Sequence, residues 1–272
     1  AILVRFSQAP SGVTAAYRLG WTVLLLLPVV LLRCRAELRR VTARDLVLCG
    51  ASGVLLALHF LTWFESLKRT SVASSTVLVS TEVIFTALGF ALFLHGKIPR
   101  LGVWAILLAF GGSALLALSG GGGAGELSGN LLALAAASAA AVYTLIGRIQ
   151  RGHLSTTVYT FLTYLACFLT LLLGTAAAGT PLTGYGGREW LIGLALAVLC
   201  TLLGHSLFSW CLKYLSPSYV SAAKLCEPVF SSLAAIPLFG EVPGPLQLAG
   251  GAAVLGAVLL YTWAEREKTP AG

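Results

Sequence analysis

The sequence predicts an all-α membrane protein, a bundle of ten transmembrane helices, and three observations carry that prediction. Of its 272 residues 57% are hydrophobic and only 10% charged, against about 25% charged in an ordinary soluble domain; too little polar surface remains to cover a water-exposed body. The apolar residues fall in long runs, such as 46–64, 72–94, 101–119 and 191–212, close to the ~20 residues that span a bilayer as helix. The runs are rich in Leu, Ala and Gly and lack the in–out alternation of barrel strands, which leaves helices as the way to pair every backbone amide in hydrocarbon.

Taken in order, span 1 is represented by 1–6 and span 2 by 12–33. Spans 3, 4 and 5 fall at 46–66, 71–94 and 101–119. After the flexible stretch Gly120 to Gly129 come span 6 (130–148), span 7 (155–177), span 8 (190–212), span 9 (218–239) and span 10 (246–264). Connections are short, so consecutive spans are expected to be antiparallel neighbours. The polar segments 34–45, 120–129 and 178–189 are too small for a soluble domain.

Charge placement sets the orientation. Arg33, Arg35, Arg39, Arg40, Arg44, Lys97, Arg100, Arg148, Arg151, Lys213, Arg266 and Lys268 fall on one side, and Lys68, Arg69 and Arg188 on the other. Twelve basic residues against three put the first set, and the C-terminus with it, in the cytoplasm. The net charge of +8 is thus a topology signal, compatible with attraction to anionic headgroups, and nucleic acid is not an expected partner.

The chain repeats itself at a shift of 145 positions: Leu67-Lys68 falls on Leu212-Lys213, Ser71 on Ser216, Glu82 on Glu227, Phe85 on Phe230 and Gly111 on Gly256. The Glu match weighs most, because charge inside a membrane is costly. With one gap, His59 and Trp63 echo His205 and Trp210. The expected domains are 1–119 (spans 1–5) and 130–264 (spans 6–10). Five spans per copy invert the second copy in the membrane, the arrangement of many secondary transporters. The same shift implies that span 1 is mostly missing, by about 15 residues.

On these residues the chain resembles the drug/metabolite transporter superfamily, in particular proteins with two EamA-type repeats. The resemblance rests on Glu227-Pro228-Val229-Phe230, Gly240-Glu241 and the Gly-rich run from Leu248 to Gly256 in the second half. In the first half it rests on Glu82-Val83-Ile84-Phe85 and Tyr17-Arg18. It implies ten helices with both ends cytoplasmic, a central cavity lined mainly by spans 1, 3, 4, 6, 8 and 9, and spans 5 and 10 at the periphery. Family members move amino acids, other metabolites or drugs, often outward. Gly96-Lys97 departs from the family's usual Gly-Glu.

The candidate site residues follow. Glu82 and Glu227 lie about 14–15 Å into their spans, near the midplane. They either face the cavity and bind a cation or a proton, or pack helices through a hydrogen bond or a pair with Lys224. Lys224, one turn before Glu227, either neutralises a carboxylate or attracts an anionic substrate. Arg18 snorkels, meets a substrate carboxylate, or pairs structurally. His59 with Trp63 and His205 with Trp210 border the two mouths of one cavity, or sit in an interfacial aromatic belt. Serines and threonines, among them Ser74, Ser75, Ser218 and Ser221, suit close helix contact, and Pro28, Pro228 and Pro237 are expected to kink their helices.

No catalytic residue, cofactor or metal site is expected: G-x-x-x-x-G-K-[ST], H-E-x-x-H and G-x-S-x-G are absent, the two histidines lie in different halves, and the six cysteines form no C-x-x-C pair and are read as small core hydrophobes. The expected function is secondary export of a small metabolite, amino acid or drug-like compound, by alternating access of the two repeats around a midplane cavity in a bacterial inner membrane. The alternative is a non-transporting scaffold or a membrane enzyme. Small-molecule substrate and lipid bilayer are the expected partners, and a homodimer is allowed.

Overall fold

The computed structural model describes residues 1–93, 99–119, 124–215, 217, 220, 224 and 226–266. Gly96-Lys97, Gly120 to Gly123, Ser218 and Ser221, all used above, lie outside them. The helices are α1 (Ile2–Arg5), α2 (Ser11–Arg33), α3 (Arg35–Leu38), α4 (Ala43–Arg69), α5 (Val72–Val79), α6 (Glu82–Phe93) and α7 (Arg100–Ser119). They continue with α8 (Ala124–Gln150), α9 (Thr156–Ala177), α10 (Gly187–Ala195), a π-helical segment (Leu196–His205), α11 (Ser206–Cys211), α12 (Cys226–Phe239) and α13 (Pro245–Arg266). There is no strand among the described residues. Among the described residues seven helices, counting Val72–Phe93 and Gly187–Cys211 as one each, are long and apolar enough to cross a membrane, and Arg100–Gly112 and Phe230–Phe239 are shorter apolar helices.

The chain forms two compact units. The first holds Ala1–Ile2, Thr62–Ala141 and Ser216–Gly272, and the second Leu3–Leu61 and Val142–Leu215. Each draws on both halves of the sequence.

In the first unit α7 packs along α13 and α5 against α12. Val83, Ile84, Ala87, Ala105, Ala109, Ala257, Val258 and Tyr261 bury one another there. Small residues allow the close approach: a Cβ on Gly112 would stand 2.9 Å from the Gly250 carbonyl oxygen. At one end of this unit, Gly240 stops α12 in a left-handed conformation (φ 68°) that a side chain would disfavour. Glu241 then accepts a hydrogen bond from the Val72 N–H at 2.7 Å, capping the start of α5. The Gly-Glu word of the second half therefore has a structural reason in this unit.

In the second unit α2 packs on α9 and α10. Gly53 lets α4 meet α9 so closely that a Cβ would stand 2.5 Å from Ala166 Cβ and 2.6 Å from the Thr163 carbonyl oxygen. Tyr17 stacks on Trp190 with ring centroids 4.1 Å apart and donates to the Leu182 carbonyl at 2.6 Å. Glu189 accepts from Ser7 Oγ at 2.6 Å and from the Gln8 N–H at 3.0 Å. At the other end, Asp45 caps α4 through Thr42 (2.7 Å from its hydroxyl), accepts from Gln150 at 3.1 Å and pairs with His153 at 2.7 Å. Glu37 accepts from the Ser155 N–H ahead of α9 at 2.6 Å. Arg151 donates to the Ser209 and Leu154 carbonyls; burial pulls its pKa below the ordinary guanidinium value. The 34–45 segment is thus tied to the 150–155 turn by two carboxylates.

Three expectations about helix continuity change. Span 4 is broken at Ser80-Thr81, because Ser80 Oγ donates to the Thr76 carbonyl and Thr81 Oγ1 to that of Leu78, local bonds that compete with the helical ladder. Span 8 passes through ten residues of π-helix. Pro228 lies in the first turn of α12, where its missing N–H breaks no helical bond, so it does not free a carbonyl in mid-helix.

Candidate functional site

The first unit places a charge pair in the middle of a membrane-length segment. Glu82 opens α6 and is the eleventh residue of the 22-residue span Val72–Phe93. The break at Ser80-Thr81 sets its carboxylate at a helix N-terminus, where the helix dipole favours negative charge. Lys224 Nζ donates to both carboxylate oxygens, at 2.8 and 2.9 Å. The Glu82 side chain is 5% exposed and that of Lys224 21%.

Glu227 does not share this environment, and the expected pairing of Lys224 with Glu227 gives way to the Glu82 pair. The Glu227 side chain is 45% exposed, with its Oε1 3.3 Å from the amino group of Ala1. One-turn spacing would align 224 and 227 only within a continuous helix. Lys224 instead lies in a turn before α12, with its carbonyl accepting from the Glu227 N–H at 2.9 Å, so its long side chain reaches α6. Glu82 is thus buried and paired with Lys224, while Glu227 lies beside the first residue of the sequence.

The second unit gathers Arg18, His59 and His205. Arg18 is 1% exposed. Its guanidinium carbon lies 4.1 Å from the centroid of the Phe60 ring, and its Nε donates to Thr201 Oγ1 at 2.7 Å. The Thr201 hydroxyl donates onward to the Leu196 carbonyl at 3.3 Å, and Ser206 Oγ to the Thr201 carbonyl at 3.2 Å. Both hydroxyls reach five residues back, along the wide turns of the π segment. The rings of His59 and His205 are 6.3 Å apart, Phe60 stands edge-on to His205 at 5.4 Å, and Tyr143 is 6.3 Å from His205. Tyr164 shares a hydrogen bond with Ser206, and Tyr143 one with Ser209, both at 3.2 Å.

The histidines were expected at opposite mouths, and they meet. The tryptophans behave differently. Trp63, in the first unit, is buried and lies 5.8 Å from the Phe64 ring. Trp210 is exposed beside Tyr214, ring centroids 5.0 Å apart, next to Lys213, as an interfacial aromatic residue would be. Among the described residues no three His, Cys, Asp or Glu side chains group as metal ligands do, and Cys34, Cys49, Cys167, Cys200 and Cys211 are free thiols, Cys49 and Cys167 buried. Sequence reasoning missed Thr201 and the π segment: nothing in a Leu-rich run distinguishes π from α geometry. Tyr143 carried no signal beyond its apolar setting.

The chain is similar to the pseudopaline exporter CntI of Pseudomonas aeruginosa, 24% identical with 76% of this chain and 72% of that protein covered. It is similar to a probable terminal-alkyne amino-acid exporter of Streptantibioticus cattleyicolor, 28% identical over 82% and 75%. It is also similar to the uncharacterized transporter YwfM of Bacillus subtilis, 29% identical over 81% and 74%. A solved crystal structure shares the fold, with a TM-score of 0.67, 20% identity and 97% of this chain and 92% of that one covered. The model of the EamA-like transporter family matches residues 2–118 and again 127–263. With both halves matched and seven membrane-length helices, this integral membrane protein belongs to the EamA-like transporter family and is a transporter rather than an enzyme.

Proposed function

We propose that this protein is a secondary exporter of a small metabolite, of amino-acid or drug-like size, working by alternating access of two inverted five-span repeats, 1–119 and 130–264. The observation that carries the reading is the double match to one transporter family along a single chain. The absence of a nucleotide-binding loop from the sequence points to a gradient as the driving force. Relatives named as exporters of pseudopaline and of a terminal-alkyne amino acid support outward movement of a small metabolite.

In this reading the chain lies in a bacterial inner membrane with both termini cytoplasmic, as the distribution of Lys and Arg favours. The Glu82–Lys224 pair is the coupling candidate: protonation of the carboxylate breaks its attraction for the ammonium, and two charge states of a mid-span pair are what a proton-driven cycle needs. Arg18, His59 and His205 are the substrate-site candidates of the second unit. Glu227, half exposed, is a candidate for contact with a cationic group. Trp63 and Trp210 are a packing residue and an interfacial residue.

Untargeted comparison of metabolites in the medium of overexpressing and deleted cells tests the reading. One or a few compounds are expected to accumulate outside overexpressing cells. Identical media at equal amounts of folded protein would refute export.

A further inference from the structure

Arg18 is the basic residue of the second unit that lies deep in a membrane-length helix. It is the eighth residue of α2, about 10 Å along the axis. The other Lys and Arg of this unit lie within two residues of a helix end or in connections. The three carboxylates of the unit, Glu37, Asp45 and Glu189, serve its ends: Glu37 holds the start of α9, Asp45 the start of α4, and Glu189 the segment before α2. A guanidinium far from a helix end in a membrane protein marks a substrate or ion path, and this one is built into place. Thr201 fixes Nε from one side and the Phe60 face lies at 4.1 Å. Both partners are themselves set: Thr201 by the π turn, a geometry concentrated at functional sites, and Phe60 by His205, which ends that turn.

The chemistry around Arg18 selects one class of ligand. Guanidinium, imidazole, phenol and hydroxyl groups offer N–H and O–H donors, and the rings of Phe60, His59, His205 and Tyr143 offer apolar faces. With Nε held by Thr201, the edge formed by the two terminal nitrogens has the fork geometry that matches a carboxylate through two parallel hydrogen bonds. A single guanidinium balances one negative charge, which suits a carboxylate better than a doubly charged phosphate monoester. We infer that Arg18 is the carboxylate anchor of the transported substrate. The substrate is then a small carboxylate, amino acids included, whose apolar or unsaturated part rests on the ring cluster. This rests on the exporter reading: the guanidinium is enclosed in this conformation, and a carboxylate reaches its terminal edge by exchange with its resting contacts as the helices part during the cycle.

Arg18→Gln, Arg18→Lys and Thr201→Val, each expressed in deleted cells, test the inference. Metabolites in the medium are quantified per amount of folded, monodisperse protein. The compounds exported by the wild type are expected to bear a carboxylate. Arg18→Gln is expected to lower their specific export about tenfold or more, the loss of a charge-assisted bidentate contact, and Arg18→Lys to fall between. Thr201→Val keeps the charge but frees Nε, so it is expected to raise the internal concentration needed for half-maximal export more than it lowers the maximal rate. Export only of compounds without a carboxylate would overturn the inference and leave the exporter reading standing; no exported compound at all would end both. Wild-type specific export by Arg18→Gln would also overturn it. If Arg18→Gln fails to fold, wild-type half-saturation in both Arg18→Lys and Thr201→Val would overturn it instead.

Discussion

Lys224 Nζ and the Glu82 carboxylate form a two-pronged ion pair in which both oxygens are engaged at under 3 Å, and the lysine bypasses the glutamate one turn from it in sequence. This choice of partner has a physical basis. Glu82 is almost fully enclosed, and an enclosed carboxylate without a partner pays a desolvation cost that a half-exposed one such as Glu227 does not.

Breaking one side of that pair is expected to be worse than removing both. Glu82→Gln or Lys224→Ala alone should destabilise the protein by about 3–5 kcal/mol, since each strands a buried polar or charged partner. The double variant should recover a large part of that loss, while Glu227→Gln should leave the folded yield near wild type. Melting temperature and monodisperse yield in detergent measure this. Additive losses in the double variant would show that the two residues do not support each other.

Helix approach at Gly53 should be intolerant of a single methyl. Gly53→Ala is expected to cost about 1–3 kcal/mol through forced separation of α4 from α9. Gly50→Ala, one turn away with nothing within 4 Å of its Cβ, should be neutral or slightly stabilising by helix propensity. Equal melting temperatures for the two variants would contradict the close contact.

The carboxylate ties at the end of the second unit should protect Cys49, which is buried with Gln150 Nε2 3.7 Å from its sulfur. Asp45→Ala removes the acceptor for Thr42, Gln150 and His153 together. It is expected to raise the rate of Cys49 labelling by a water-soluble maleimide several-fold in detergent, read by peptide mass mapping. His153→Gln, at an exposed position, should raise it less. An unchanged rate for Asp45→Ala would show that the network does not hold the end closed.

Reporter fusions test the orientation. A periplasm-active phosphatase is expected to be inactive after Arg40 and after Thr269 and active after Gly122. Activity after Thr269 would contradict the inverted five-plus-five arrangement.

The helical membrane fold was legible because hydrocarbon permits so few backbone solutions: α2, α7, α9 and α13 begin and end within two residues of their expected spans. The interior irregularities were not. Ser80-Thr81 breaks its helix through hydroxyl bonds that the same residues need not make elsewhere, and the π segment lies in an ordinary Leu-rich run. Glu82, Lys224, Arg18, His59 and His205 could be singled out because polar groups in an apolar run are rare. Their partners could not, because sequence spacing ranks neighbours along one helix while Lys224 reaches a different one. The sequence repeat aligned Glu82 with Glu227 but did not show that Lys224 pairs with Glu82.

Transport by the purified protein is the most direct measurement. Proteoliposomes loaded with a metabolite extract of the host cells, free of ATP, would be placed in an outside-acid pH gradient, with the released compounds followed by mass spectrometry. One or a few small compounds should leave wild-type vesicles faster than protein-free ones, and Glu82→Gln vesicles should release them at a rate no longer raised by the gradient. Release no faster than from protein-free vesicles, with folded protein inserted in both orientations, would contradict the reading of this chain as a secondary exporter.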